Sequence, residues 1–239
     1  MSKYVAAFLS LFAISYATTP KAASVELFEL GLYVNGSVQS FTTPGDVACG
    51  GCVVNLDNSG IGSISFTLSG AGSNRIGLFV DYEIDETVNT FYNEFGEVSG
   101  SAPVGLSWEI DEPGYVFGDI YSNFIAGGLD NTNTVPAAAP EDVSMALMWD
   151  FVLGANQSAS LIFNIGLTQP ASPFWLAHRD ADSADGALFL STSLTIQNTS
   201  NPPVNNVPEP SILWLMLSGV LALRKHKQSA FRPSRWFKN

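Results

Sequence analysis

Apolar and polar residues alternate with a period of two along most of residues 24–199. Such alternation is typical of β-strands that bury one face and expose the other. The predicted first strand is Val25–Val34, and the apolar positions of the later strands are Ile64, Phe66 and Leu68; Ile76, Leu78, Val80, Tyr82 and Ile84; Leu106, Trp108 and Ile110; Met145, Leu147, Trp149, Phe151 and Leu153; Leu161, Phe163, Ile165 and Leu167; and Leu188, Leu190, Leu194 and Ile196. Because turn residues separate these runs, the pattern predicts antiparallel sheets, most simply a β-sandwich.

Two stretches add detail to this prediction. The turn at residues 154–157 predicts that the strands on either side of it pair as a β-hairpin. After Pro113 the apolar residues recur at helical spacing and stop near Gly127, which predicts a short helix that packs on a sheet or covers one end. The helical positions are Val116, Phe117, Ile120, Tyr121, Phe124 and Ile125. We therefore expect a mainly β fold, an antiparallel β-sandwich with one short helix, over residues 24–199.

The first 23 residues predict a secretory signal peptide. Lys3 supplies a positive charge, residues 4–14 form a short apolar run, and Ser15-Tyr16-Ala17 offers small residues for cleavage. A segment of this kind forms a signal helix that is exported and then removed, so the Sec translocon and signal peptidase are expected partners. The alternative is an N-terminal helix buried in the domain.

Three elements follow one another at the C-terminus, after a stiff polar linker at residues 200–206. The apolar run Ser211–Leu223 predicts a hydrophobic transmembrane helix. The basic cluster that follows it is expected on the cytoplasmic side. The alternative is a terminal helix packed on the domain. A basic, aromatic tail follows at residues 229–239. The elements are a polar motif of Val207, Pro208, Glu209 and Pro210; an apolar run, Ser211–Leu223; and a basic cluster that includes Arg224, Lys225 and Lys227.

The order of these elements over residues 207–228 resembles the PEP-CTERM sorting signal of exported proteins in Gram-negative bacteria. The resemblance implies that an exosortase recognises Pro208, Glu209 and Pro210, and that the basic cluster stops the chain in the membrane. It also implies a protein anchored in the inner membrane before processing and then delivered to the cell surface or extracellular matrix. Segments between Asp81 and Phe151 resemble other exported proteins of this family that have no assigned activity.

The charge of the domain is strongly negative. Residues 24–206 contain 21 acidic side chains but only two lysines or arginines, Arg75 and Arg179. Such a domain repels nucleic acid and anionic lipid and attracts cations. We therefore expect no binding to DNA or RNA.

Some of the carboxylates form clusters that predict a calcium site, because Ca²⁺ is held by hard oxygen ligands. The alternative is a solvated acidic surface that keeps the exported protein soluble. The first cluster projects from one predicted strand, and the second resembles half of a calcium loop: Asp81, Glu83 and Asp85; and Asp180, Asp182 and Asp185.

The chain has two cysteines, Cys49 and Cys52. An exported protein meets an oxidising compartment, so we predict a local disulfide that fixes a tight turn. Free thiols are the alternative. Zinc would need two further soft ligands, and the sequence does not supply them at a recognisable spacing.

Candidates for catalysis and for ligand contact are few. Glu109 and Asp111 would lie on one strand face about 7 Å apart, without an identifiable distant partner for glycoside hydrolysis. His178, the domain's single histidine, is expected in a loop. Trp149, like Trp108, falls at a core position, whereas Trp175 lies outside a clear strand and is the candidate for an exposed contact.

No catalytic constellation emerges, so we do not expect an enzyme. These observations favour an exported surface or matrix protein with a structural or interaction role. The alternative is a module that binds exopolysaccharide through calcium or exposed aromatic side chains.

Overall fold

The computed structural model of the protein describes residues 24–85, 90–183 and 186–199. The predicted signal peptide, linker, sorting segment and tail lie outside these residues, as does Asp185. No helix in the described ranges is long and apolar enough to cross a membrane. The described residues form eleven strands and one α-helix: β1 (Val25–Val34), β2 (Ser37–Phe41), β3 (Cys52–Leu56), β4 (Gly62–Ser69), β5 (Gly72–Ile84), β6 (Glu94–Ser99), β7 (Leu106–Asp111), α1 (Ile120–Ala126), β8 (Ser144–Leu153), β9 (Gln157–Gly166), β10 (Trp175–Asp180) and β11 (Ala187–Asn198).

The strands form two antiparallel sheets. The first has the order β2-β1-β5-β8-β7, and the second has the order β3-β4-β9-β11-β10-β6. The hairpin between β1 and β2 turns at Asn35-Gly36, where both residues have positive φ angles, 49° and 90°. This is the preferred chemistry of a two-residue hairpin turn, because its twist matches that of the strands.

The two sheets pack face to face around one hydrophobic core. Leu78 and Leu147 of the first sheet and Phe163 and Leu190 of the second belong to the same cluster of fully buried side chains. These residues occupy the inward positions of the predicted alternation. The prediction of a mainly β fold with two antiparallel sheets and one helix is therefore confirmed.

The predicted hairpin between β8 and β9 is wrong. β8 lies in the first sheet between β5 and β7, whereas β9 lies in the second sheet between β4 and β11. The chain crosses from one sheet to the other at the turn that follows Leu153. Periodicity could not reveal this crossing, because two strands that face each other across a core show the same alternation as two strands that pair.

Helix α1 packs on the outer face of the first sheet, opposite the main core. Its Ile120 and Phe124 are fully buried against Phe79 and neighbouring residues of the sheet. The hollow that accepts Phe124 exists because Gly31 and Gly77 carry no side chains, since a β-carbon at either position would lie 3.0 Å from the Phe124 ring. The predicted helix is therefore confirmed, and it packs on a sheet.

The helix begins later than its apolar pattern suggests. Gly118 has a φ angle of 77°, in the left-handed region, and interrupts the chain just before the helix. As a result Val116 and Phe117 lie outside the helix and are 81% and 66% exposed. Left-handed geometry is compatible with glycine and ends regular structure there.

Candidate functional site

A row of polar residues crosses the outer face of the first sheet. The pairing register aligns Glu29 of β1, Asp81 of β5, Ser144 of β8 and Asp111 of β7. The three carboxyl groups are buried, and Asp81 is only 1% exposed. The interpretation of the predicted acidic cluster as solvated surface is therefore wrong for Asp81.

Hydrogen bonds from the chain itself satisfy much of this row. The Ser144 hydroxyl donates to Asp81 Oδ1 over 3.0 Å. The hydroxyls of Ser40 and Tyr115 donate to Glu29. Asp111 accepts from the Asp119 backbone N–H and from a threonine hydroxyl. Such donors compensate for the loss of water around buried carboxyl groups.

Glu109 lies in the next row of the same face and is 1% exposed. Asn123 Nδ2 of the helix donates to its Oε1 over 3.0 Å, and the backbone N–H of Asp130 donates to its Oε2 over 3.3 Å. Burial, together with the negative charges of Asp130 and Asp119, raises the pKa of Glu109 to about 7. Because helix α1 and the segment after it cover this carboxyl group, a substrate has no direct approach to it.

A pocket of about 390 Å³ opens near the polar row. Four carboxyl groups from three segments of the chain converge on it, and aromatic and apolar side chains make up the rest of its described wall. We call it the acidic pocket. Its carboxylate members are Asp81, Glu83, Glu112 and Asp142, and its apolar members are Phe28, Phe91, Tyr92, Pro113, Tyr115, Val116 and Phe117.

Two pairs of aromatic rings belong to the wall of the acidic pocket. The rings of Phe28 and Tyr115 meet edge to face at 5.9 Å between centroids, and those of Phe91 and Tyr92 lie 4.1 Å apart. Phe28 is the extra residue of a β-bulge between Leu27 and Glu29, and it is 53% exposed. Bulges of this kind redirect a side chain away from the regular alternation.

The carboxyl groups of the acidic pocket raise one another's pKa values. Burial raises the pKa of Asp81 well above its ordinary value, and the nearby charges of Asp142 and Glu83 raise it further. Burial also raises the pKa of Asp142 to about 6, where His178 opposes the shift and Glu112 adds to it. None of the eleven described lining residues is basic. The pocket therefore brings four carboxyl groups together without a basic side chain from the described part of its wall.

A buried histidine lies behind the acidic pocket. His178 Nε2 is 2.5 Å from Glu94 Oε2, and both side chains are at most 1% exposed. Glu94 Oε1 also accepts the backbone N–H of Ile84 over 3.0 Å. Burial lowers the pKa of His178, while Asp142 opposes the shift. The expectation of a loop position is wrong, because His178 lies within β10 and faces inward beside the buried Leu176.

Among the described residues, the predicted calcium ligands Asp81, Glu83 and Asp85 do not form one close group of carboxylate oxygens. Asp85 accepts hydrogen bonds from Ser24 and Ser183. Asp180 and Asp182 both accept from Asn93 Nδ2, each over 3.0 Å.

Glu83 instead approaches two carboxyl groups that the sequence analysis missed. One oxygen each of Glu83, Glu94 and Asp142 lie within 4.8 Å of one another. Glu109, Asp111 and Asp119 form a second such group, although hydrogen bonds from the chain already occupy it. Only the position of Asp142 directly before an apolar strand could have drawn attention to it.

The remaining candidates lie elsewhere. Cys49 and Cys52 form a disulfide, with their Cα atoms 5.5 Å apart. Trp149 is 5% exposed in the core, as predicted, and Trp108 packs against the same core while partly exposed. The prediction of an exposed Trp175 is wrong, since it begins β10, is 5% exposed and packs on Phe189 at 5.3 Å between ring centroids.

We found no match of this chain to a protein-family model, to a curated protein or to a solved structure.

Proposed function

We propose that this chain is an exported surface or matrix protein that binds a glycan in the acidic pocket and performs no catalysis. The observation that carries the glycan part is the combination of exposed aromatic side chains and carboxyl groups around one concave site. Sugar rings offer apolar C–H faces to aromatic groups and hydroxyl donors to carboxylates. The pocket's volume of about 390 Å³ also falls in the range common for small-molecule sites, about 300–1,000 Å³.

The export part of the proposal depends on the two ends of the chain. A signal helix at residues 1–23 and a C-terminal hydrophobic helix behind the Pro-Glu-Pro motif would flank a β-sandwich domain. In this proposal an exosortase sorts the protein from the inner membrane to the surface. Mass spectrometry of the protein from its native cells, combined with fractionation, tests it. We expect a new N-terminus and a chain outside the cytoplasm, and detection of the mature protein only in the cytoplasm would contradict the proposal.

Glycan binding is tested with one variant of the acidic pocket and one control variant outside it. Phe117→Ala removes a ring that is 66% exposed in the acidic pocket, and Val152→Ala removes an apolar side chain that is 67% exposed elsewhere. We expect retention on immobilised exopolysaccharide to fall only for Phe117→Ala. Equal retention of both variants, or none for the unmodified chain, would refute a glycan site in this pocket.

The absence of catalysis is tested on a panel of glycosides and esters. We expect no turnover, because Glu109, the buried acid with a pKa near 7, is covered by the helix. Turnover that disappears in Glu109→Gln would establish an enzyme and overturn this part of the proposal.

A divalent cation is the second candidate ligand, favoured by the approach of Glu83, Glu94 and Asp142 within 4.8 Å. Ca²⁺ prefers such oxygen ligands. If it binds there, millimolar Ca²⁺ raises the melting temperature of the unmodified chain and of the control Asp46→Asn, which alters an exposed carboxylate outside the acidic pocket. Asp142→Asn should abolish the increase. An unchanged melting temperature would remove this candidate.

A further inference from the structure

We propose that the acidic pocket selects a ligand that carries an ammonium group on an apolar framework. This inference rests on the proposed binding role of the pocket and specifies which chemistry it recognises. The shared chemistry is an organic cation. It could come from an amino sugar whose nitrogen is not acetylated, or from a free small amine.

The described wall of the acidic pocket contains negative groups without a positive one. Among the described residues, four carboxyl groups and no basic side chain line the pocket. The two arginines of residues 24–206 already form ion pairs, Arg75 with Asp150 at 2.7 Å and Arg179 with Glu97 at 2.6 Å. His178, behind the pocket, is paired with Glu94. A bound cation would therefore relieve the mutual repulsion of these carboxylates, whereas a neutral ligand would not.

A second observation indicates a missing hydrogen-bond donor. Asp142 Oδ1 is buried and accepts no hydrogen bond from the described residues. Buried carboxylate oxygens without a donor are uncommon in folded proteins and are costly. An ammonium group supplies N–H donors together with the compensating charge, so a single functional group would satisfy both requirements.

The aromatic wall shows that the cation is organic. Seven of the eleven lining residues are aromatic or apolar, and Tyr92, Tyr115 and Phe117 are 57–66% exposed. A bare metal ion would use the carboxyl oxygens and leave these rings in water. An ammonium group with attached carbon atoms gains from both parts of the pocket, because ring faces attract cations and also bury apolar surface.

The geometry also favours a preformed site. Asp81 and Glu83 project from the central strand β5, whereas Glu112 directly follows β7 and Asp142 lies two residues before β8. Sites built on strands hold their groups more precisely than sites built on loops alone. The carboxyl groups are therefore positioned before the ligand arrives.

Isothermal titration calorimetry on the full chain tests the proposal. The probes are the disaccharide of glucosamine, its N-acetylated form, cellobiose and cyclohexylamine, at pH 7.5 in 0.15 M salt. We expect the glucosamine disaccharide to bind at least tenfold more tightly than its N-acetylated form and cellobiose.

The pattern of binding distinguishes a failure of ammonium selection from a failure of the proposed glycan binding. Equal binding of all three sugars would overturn ammonium selection and leave glycan binding intact. Binding of cyclohexylamine without any sugar would support the ammonium site, assign it to a free amine, and refute the glycan role. No binding of any probe would overturn both.

Matched variants distinguish binding in the acidic pocket from general electrostatic attraction of a cation to an acidic protein. Glu112→Gln and Phe117→Ala each change one wall of the pocket, and both should weaken the preferred probe at least fivefold. Asp46→Asn removes an exposed negative charge outside the pocket and should change affinity less than twofold. If Asp46→Asn weakened binding as much as Glu112→Gln, the proposal would be overturned. Thermal unfolding of each variant verifies that it is folded.

Discussion

Replacing Glu109 by glutamine should remove a loss of folding stability that the unmodified chain shows as the pH rises through about 7. Glu109 is 1% exposed beneath helix α1, and its pKa is about 7 instead of the ordinary 4.5. A carboxyl group with a raised pKa holds its proton more tightly when folded. Its contribution to stability is therefore fully present below pH 4.5 and is lost as the pH rises through about 7. Glutamine stays neutral and does not show this loss.

The magnitude follows from the size of the shift. Raising the pKa from 4.5 to about 7 corresponds to about 3 kcal/mol in full. We take about 2 kcal/mol, because the protein around a buried charge relaxes and admits water, which relieves part of this cost. Against this, an amide can accept only one of the two hydrogen bonds, from Asn123 and from the Asp130 backbone, that the carboxylate accepts. The lost bond costs about 1 kcal/mol.

Glu109→Gln is therefore expected to be about 1 kcal/mol less stable than the unmodified chain at pH 4 and about 1 kcal/mol more stable at pH 8. Urea unfolding of both proteins between pH 4 and pH 8.5 measures the difference. Glu26→Gln, which changes an exposed carboxylate on β1, serves as the control and should alter stability by less than about 0.5 kcal/mol. A difference for Glu109→Gln that stays constant over this pH range would refute the assignment of a buried, destabilised carboxylate.

Further predictions concern the helix, the disulfide and the acidic pocket. Phe124→Ala should lower the free energy of unfolding by about 3–5 kcal/mol in urea, because it empties a fully buried site between helix and sheet. Gly77→Ala should cost about 1–3 kcal/mol in the same assay, since its β-carbon would lie 3.0 Å from the Phe124 ring. Reducing the Cys49–Cys52 disulfide should cost only about 2 kcal/mol, as the closed loop is short, measurable from melting with and without reductant. Binding of a cationic probe should weaken as the pH falls below about 6, where protonation of Asp142 removes a negative charge, and calorimetry at pH 5 and pH 7.5 measures this loss.

The inward faces of the strands were predictable from the sequence, because both sheets pack on one continuous core. Each strand therefore needs an apolar side chain at every second position. The predicted first strand, Val25–Val34, matches β1 at both ends. The inward positions of β4 and β5 are likewise those of the alternation, and Ile64 and Ile76 are fully buried. Each of these residues needs only an apolar neighbour across the sandwich, so local periodicity carries enough information.

The outer face of the first sheet was not predictable in the same way. Its mixture of Gly77, Phe79 and Asp81 resembles a solvent-exposed face, yet the last two residues are almost fully buried. The groups that make burial of the carboxylates possible are distant in sequence. Ser144, for example, is 63 residues from Asp81. A face covered by a helix and loops is defined by tertiary contacts that periodicity does not contain.

One part of the acidic pocket did leave a signal in the sequence. The inward residues of β1 are Leu27 and then Leu30 and Leu32, so the alternation shifts by one residue. Such a shift indicates an extra residue in the strand, which is the β-bulge at Phe28. The sequence therefore indicates that the Phe28 ring departs from the regular alternation of β1. It does not indicate which side chains the ring contacts.

The interruption before helix α1 is a physical reason to regard the acidic pocket as a binding surface. An extended helix could bring Val116 and Phe117 onto the sheet, and burying each side chain would contribute about 1.5–3 kcal/mol. Gly118, with its φ of 77°, ends that possibility, and both residues stay exposed beside the carboxyl groups. Apolar side chains that stay exposed although the fold could bury them are expected where the surface contacts another molecule. The exposed side chains of Val116 and Phe117 and the carboxyl groups beside them are therefore best explained together, as two parts of the proposed site for an organic cation.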